Sequence, residues 1–205
     1  MKKIALYKFL VIAGLTILSS CSSDSDVENA KVKTTLFAEN FSDNNPIPEE
    51  LNTPGWTNYA QVGNKKFFEK IYSGNGYAEF TSYQSGQASN IAWLISPGFD
   101  MNKQDGEKLV FQAAHAYLTT TENSLELMVS TDYDGNIANF NQSNWLSLPI
   151  TKPTPSNDFY EYVNSGEIDL SNFNGTLHFA FKVKGSGTNT SQDATYQIDN
   201  IRLYY

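Results

Sequence analysis

The sequence predicts an all-β fold, a sandwich of two antiparallel sheets. Three observations carry this expectation. Apolar and polar residues alternate over short runs, as where Leu125, Leu127 and Val129 interleave with Glu126, Met128 and Ser130. Clusters of Gly, Pro, Asn, Asp and Ser interrupt the chain roughly every 8–15 residues, the spacing of short strands joined by turns. No stretch holds a helical period, and no internal repeat is present. The aromatic content of 14% supplies large side chains for the space between two sheets. Each one fully buried contributes about 1.5–3 kcal/mol.

The first strand is expected at Thr34–Phe41. Pro46, Pro48, Pro54 and Gly55 make the next segment irregular up to Trp56. Phe67–Tyr72 and Tyr77–Tyr83 flank Ser73-Gly74-Asn75-Gly76, a hairpin signal. Asn90–Ser96 is a strongly apolar strand stopped by Pro97-Gly98, and Lys108–Tyr117 precedes a polar loop at Thr119–Asn123. Strands follow around Leu125–Val129 and at Trp145–Ile150, Phe159–Ile168 and Thr176–Lys184. In the last, Leu177, Phe179, Phe181 and Val183 share one face.

The terminal stretch, Thr195–Tyr205, is the most informative. Tyr196 and Ile198 share one parity, Ile201 and Leu203 the other. Both pairs can face one core only if the backbone slips by one residue, so a β-bulge is expected at Asp199-Asn200. Near the front, Glu39 shares parity with Phe37 and Phe41. A carboxylate on an aromatic face is costly to bury unless a cation meets it. The first and last strands are therefore expected side by side, with Glu39 and Asp199 sharing a structural Ca²⁺. Candidates for further ligands are Asn40, Asp43 and the backbone around Ala60–Gly63. The alternative is that Arg202 or a buried lysine pairs with Glu39.

Residues 1–20 read as a secretory signal, with Lys2, Lys3 and Lys8 before an apolar run from Phe9 to Leu18 that is short for a membrane span. The run ends Leu18-Ser19-Ser20-Cys21, which resembles a bacterial lipobox and implies lipidation of Cys21, the alternative being a free cysteine in an ordinary signal peptide. The acidic residues after it resemble the surface-export signal of some Gram-negative lipoproteins, so the expected location is the outer membrane, at the cell surface. Residues 21–33 are small, polar and acidic, either a flexible tether alone or one that also carries a surface-export signal. Residues 34–205 are expected to form one domain. Cys21 is the only cysteine, so with it lipidated disulfides, Cys-zinc sites and cysteine catalysis are excluded. Removing the three signal lysines leaves 11 basic against 22 acidic residues, a mature charge of −11. That argues against nucleic acid or an anionic membrane surface as partner, leaving the lipid as the membrane attachment.

Several motifs line up in order: Phe37-Ala38-Glu39-Asn40-Phe41, Pro54-Gly55-Trp56, Trp93-Leu94-Ile95-Ser96-Pro97, Val129-Ser130-Thr131-Asp132-Tyr133-Asp134-Gly135, Ser165-Gly166-Glu167-Ile168-Asp169-Leu170-Ser171 and Tyr196-Gln197-Ile198-Asp199-Asn200-Ile201. Over roughly residues 36–205 this order resembles the choice-of-anchor J jelly-roll domains, and especially the related DUF5017 group of bacterial lipoproteins. The resemblance implies a jelly-roll β-sandwich akin to carbohydrate-binding modules and galactose-binding domains. It also implies a Ca²⁺ clasped by a first-strand carboxylate and a last-strand aspartate, here Glu39 and Asp199.

Other motifs carry less chemistry. Asp132-Tyr133-Asp134-Gly135-Asn136 lacks the third acidic position and the bidentate Glu of an EF-hand, and reads as a tight turn. Glu167-Ile168-Asp169 resembles the catalytic strand of laminarinase-type glycoside hydrolases, but Ser171 and Asn172 stand where its third carboxylate belongs. His115 and His178, the only histidines, accompany no nucleophile motif. Trp56, Tyr117, Tyr133 and Trp145 lie at loop edges among amides and hydroxyls, the mixture that stacks on and hydrogen-bonds to sugar. The chain is expected to be a non-catalytic, lipid-anchored binding module of the cell envelope, for a glycan or as part of a surface glycan-capture complex. A surface adhesion or structural protein with a protein partner is the second expectation, and a glycoside hydrolase the third.

Overall fold

The computed structural model describes residues 33–42, 49–120 and 123–205. The signal, Cys21, all but the last residue of the tether, and Asp43 lie outside them. Among the described residues fourteen strands form two antiparallel sheets. They are β1 (Thr35–Glu39), β2 (Glu49–Glu50), β3 (Thr57–Val62), β4 (Phe68–Tyr72), β5 (Asn75–Thr81), β6 (Asn90–Ile95), β7 (Phe99–Asp100), β8 (Lys108–Ala116), β9 (Ser124–Ser130), β10 (Leu146–Leu148), β11 (Val163–Asn164), β12 (Ile168–Asp169), β13 (Thr176–Gly185) and β14 (Thr195–Tyr204). Among the described residues two short 3₁₀ turns, Ile137–Gln142 and Thr190–Gln192, interrupt the β structure.

The larger sheet runs β11-β8-β14-β5-β4-β2, with β1 beside β14 and β12 beside β8. The smaller runs β10-β9-β13-β6-β3, with β7 beside β13. Between them lies one core whose inward residues alternate along each strand. Phe179 and Phe181 on β13 meet edge to face at 5.9 Å, and Phe181 meets Phe111 of β8 at 4.8 Å. Aromatic pairs favour this geometry over face-to-face stacking. The outer face of the smaller sheet carries a second aromatic cluster, Trp93, Tyr133 and Phe140 with Tyr59 and Trp145 against it. The 132–144 loop covers it: Phe140 lies 4.9 Å from Trp93 and 5.0 Å from Tyr59.

The expected bulge is present. Asp199 pairs with Gln112 and Arg202 with Val110, so Asn200 and Ile201 together face Phe111. Asn200 takes a positive φ of 52°, which Asn tolerates better than most residues. The slip keeps Tyr196, Ile198, Ile201 and Leu203 all in the core. The first and last strands are neighbours: Phe37 pairs with Leu203 and Glu39 with Ile201. One step further out, Thr34 and Tyr205 exchange backbone hydrogen bonds at 2.9 and 3.1 Å. The β4–β5 hairpin turns on Ser73 and Gly74, both at positive φ, as a two-residue hairpin loop of this hand requires.

Three differences from the sequence reading have physical causes. Phe159–Ile168 is not one strand; Gly166 at φ 77° breaks it into β11 and β12, each holding two residues to β8. β3 forms where no strand is expected: it pairs along β6, and Asn58 within it bonds to the Leu51 carbonyl before it and the Phe67 carbonyl after it, at 3.1 and 2.8 Å. β2 and β7 are two-residue bridges with no periodicity to read.

Candidate functional site

The larger sheet leaves a cleft of about 600 Å³ on its outer face. Its floor comes from β5 and β14. On β5 the core residues Ala78 and Phe80 alternate with Tyr77 and Glu79, which therefore point outward. On β14 Gln197 stands directly opposite Glu79 in the ladder. One wall is Lys70 and Tyr72 from β4; the other is Tyr160 and Tyr162, just before β11. Tyr72 is 74% exposed and Tyr160 49%. Tyr160 holds a positive φ of 64°, fixed by its N–H donating to the His115 carbonyl at 2.8 Å. A bulky residue in this backbone region is strained and needs its surroundings to hold it there.

The floor is cross-linked. The Tyr162 hydroxyl donates to Gln197 Oε1 at 3.3 Å, and Gln197 Nε2 donates to Glu79 Oε2 at 3.0 Å. Lys70 Nζ donates to Glu79 Oε1. This chain of bonds crosses the sheet and fixes the rotamers of its members before any ligand arrives. Burial, then Asp199 and Tyr77, push the Tyr162 phenol well above its ordinary range. Burial, then Glu79, raises Tyr77; burial, then Tyr117, raises Tyr160. All three phenols therefore stay protonated past neutral pH; the Tyr162 proton is committed to Gln197, which leaves its oxygen as an acceptor.

Beside the cleft lies the junction of β1, β5 and β14. Along one edge of β14, pairing passes from β5, ending at Ile198 with Ala78, to β1, starting at Ile201 with Glu39. Asp199 and Asn200 fall in the gap. Asp199 is 1% exposed and makes no ion pair among the described residues. Its carboxylate accepts from Asn75 Nδ2 at 2.9 Å and from the Asn200 backbone N–H. Burial raises its pKa. Glu39 Oε1 accepts the backbone N–H groups of Asn40 and Phe41 at 3.0 and 2.8 Å. No arginine or lysine among the described residues pairs with it; Arg202 is exposed. Phe41, fully buried, has φ 49°, and its carbonyl lies where a Cβ on Gly76 would stand, 2.1 Å away.

These donors suit a hard cation. They are carboxylate and carbonyl oxygens, with no sulfur or imidazole, around a buried carboxylate without a counter-charge. No group of three or more acidic, His or Cys side chains is placed for a metal among the described residues. The remaining ligands would have to be backbone, amide or water. Ala60 and Val62 are committed to the ladder with β6 in the other sheet.

Residues 65–204 match the model of the DUF5017 family, a domain of unknown function. The chain belongs to that family. The DUF5017 match contains the whole floor and both walls of the cleft, but begins after β1 and Trp56, so Glu39 lies outside it. No curated protein matches the chain. Among solved structures it is similar to the K1 cleaved adhesin domain of Lys-gingipain from Porphyromonas gingivalis W83. The identity is 16% and the TM-score 0.52, over 82% of this chain and 96% of that one. The K2 domain of Lys-gingipain gives 13% and 0.51, over 82% and 98%. The K3 domain of the same organism's Lys-gingipain gives 14% and 0.50, over 84% and 100%. At these identities the likeness is one of fold.

The four aromatic candidates read from the sequence of this DUF5017 chain separate into two groups. Trp56 is a core residue, packed on Phe41 at 5.4 Å and Phe179 at 5.8 Å. Tyr133 is buried, its ring against His178 at 5.1 Å and Trp145 at 5.5 Å. Trp145 is half-buried in the cluster of the smaller sheet, 5.2 Å from Trp93. Only Tyr117 is open to solvent, at the end of β8 with φ 60° and Phe159 at 5.0 Å. The cleft residues Tyr72, Glu79, Tyr160 and Gln197 are not among the residues the sequence points to. For Glu79 and Gln197 the local signal is outward parity on β5 and β14; Tyr72, at the end of β4, and Tyr160, in the turn before β11, carry none.

The remaining motif residues find partners within the fold, apart from His115 Nδ1, which is buried without one. Asp132 accepts from Ser130 and Asn144, and Asp134 from Asn136 and Asn139, as in a turn. His178 Nδ1 lies 2.8 Å from the Ser96 carbonyl and His115 Nε2 3.2 Å from that of Asn157. Glu167 binds Lys33 and, at 2.5 Å, the Tyr204 hydroxyl.

Proposed function

We propose that the protein is a non-catalytic, lipid-anchored module of a bacterial cell envelope that binds a glycan chain in the cleft of its larger sheet. One observation carries the reading: exposed tyrosine rings flank a fixed row of amide, carboxylate and hydroxyl groups. A pyranose needs both, an apolar face for its C–H groups and directed partners for its hydroxyls. The cleft volume falls within the usual ligand range of about 300–1,000 Å³. Against hydrolysis, Glu167 is tied to Lys33 and the Tyr204 hydroxyl, and Ser171 and Asn172 stand where the second carboxylate of a glycosidase belongs. Retention in affinity gels containing neutral polysaccharides tests the reading, and an array without a single binder overturns it.

The second reading is adhesion to a surface protein. It draws on the fold shared with adhesin domains and on the exposed Tyr83, Tyr117 and Phe159. Recovery of one envelope protein by pull-down, with no glycan retained, would favour it. The anchor is assigned to Cys21. No helix among the described residues is long and apolar enough to cross a membrane. Cys21→Ser is expected to move the protein from the membrane fraction to the soluble one.

The junction is assigned a structural Ca²⁺ with Glu39 and Asp199 as its side-chain ligands. Ca²⁺ at about 100 times its Kd contributes about 2.7 kcal/mol. For a chain of this size that corresponds to a melting temperature higher by roughly 5–10 °C than in chelator. Asp199→Asn is expected to lose this difference. In chelator it melts as high as wild type or higher at pH 7. Burial raises the folded pKa of Asp199, so its ionised form opposes folding above that pKa, and the amide removes that cost. Identical melting of the wild type with and without chelator would remove the metal.

A further inference from the structure

The charge balance of the cleft narrows what it can hold, given the glycan reading above. Among the nine residues lining it, Lys70 is the only cation and Glu79 the only anion. The two are bonded to each other. Glu79 is 7% exposed, and its second oxygen is taken by Gln197 at 3.0 Å. Lys70 therefore reaches the cleft already neutralised from the floor. A carboxylate or sulfate on an incoming sugar would have two options. It could draw Lys70 away and leave Glu79 buried without its counter-charge, or share Lys70 with Glu79 and set two like charges against one ammonium. Hydroxyl groups meet neither penalty. They can share the outward donors of Lys70 and use the phenols of Tyr77 and Tyr162 and the amide of Asn75.

We propose that this cleft selects uncharged glycan chains, and that Glu79 enforces the selection by holding Lys70 neutral. The rejection of charge is built into the floor rather than added at the rim, a repulsive element working beside the attractive ones. Asp199 lies beneath Asn75 on the same face and adds to the negative field; after burial, it leads the influences on the Tyr162 phenol. Should a cation neutralise Asp199, Glu79 alone still balances Lys70.

The test uses matched probes: a soluble β-glucan and a mannan, each before and after oxidation of the C6 hydroxyls to carboxylates. The wild type is expected to retain at least one uncharged polymer at least tenfold more strongly than its oxidised form. Glu79→Gln keeps the shape and the Gln197 contact but frees Lys70. It is expected to bring the ratio to about one or reverse it. Lys70→Gln, at the more exposed partner, is expected to hold or widen the ratio, and serves where Glu79→Gln does not fold. Equal retention of both forms by the wild type would leave the glycan reading standing and sink the charge selection. Retention of neither form of either polymer would sink both. A ratio unchanged in folded Glu79→Gln, or narrowed in Lys70→Gln, would remove Glu79 from the role.

Discussion

Replacing Tyr72 and Tyr160 together by alanine is expected to weaken glycan binding on the order of 10²- to 10³-fold. Anchoring aromatic rings typically cost about 2 kcal/mol or more each when truncated, and these two stand on opposite walls. Stability is expected to change little. Tyr72 is 74% exposed, so its loss opens no cavity. Tyr160 sits at φ 64°, where alanine is no better placed, and its backbone bond to His115 remains. Trp145→Ala is the contrasting variant. It unpacks Trp93, Tyr133 and Phe140, so the melting temperature falls while retention in the polysaccharide gel stays. If the double variant binds as well as wild type, the ligand lies elsewhere on the molecule.

The second large effect is expected at Gly76. A Cβ there would stand 2.1 Å from the Phe41 carbonyl oxygen and 2.7 Å from its carbon, both backbone atoms. Backbone at a strand junction yields less readily than a side chain, so Gly76→Ala is expected to cost about 3 kcal/mol. That lowers the melting temperature by roughly 6–12 °C. Gly74 is the control two residues away. It has open space around its Cβ position but φ 84°, so Gly74→Ala meets only the left-handed penalty of about 1–2 kcal/mol. Equal melting temperatures for the two variants would show that the junction gives way freely. Gly76→Ala should also reduce the response to chelator, since it displaces the turn that carries Glu39.

The junction could be read from the sequence because its signals are local. The switch of parity between Ile198 and Ile201 leaves one place for the slip, and Glu39 is conspicuous between Phe37 and Phe41. The cleft could not. Its walls come from residues 72 and 160, joined only when β4 and β11 take their places at opposite sides of β5, β14 and β8. Trp56 and Tyr133 misled for a related reason. Proline, glycine and aspartate beside them signal loops, but a loop that folds back over a sheet buries its aromatics as fully as a strand does. Tryptophan count is thus a poor guide here, and the tyrosines on outward parity a better one.

The pairing of β1 with β14 has a mechanical consequence. A pull applied at Lys33 runs lengthwise along β1, while the hydrogen bonds to β14 lie crosswise to it. Such bonds are loaded in shear and must yield together; those of a strand peeled from its end would break in succession. Part of the cleft floor belongs to β14 itself, so tension between a held ligand and residue 33 loads this seam, together with the contact of Lys33 with Glu167.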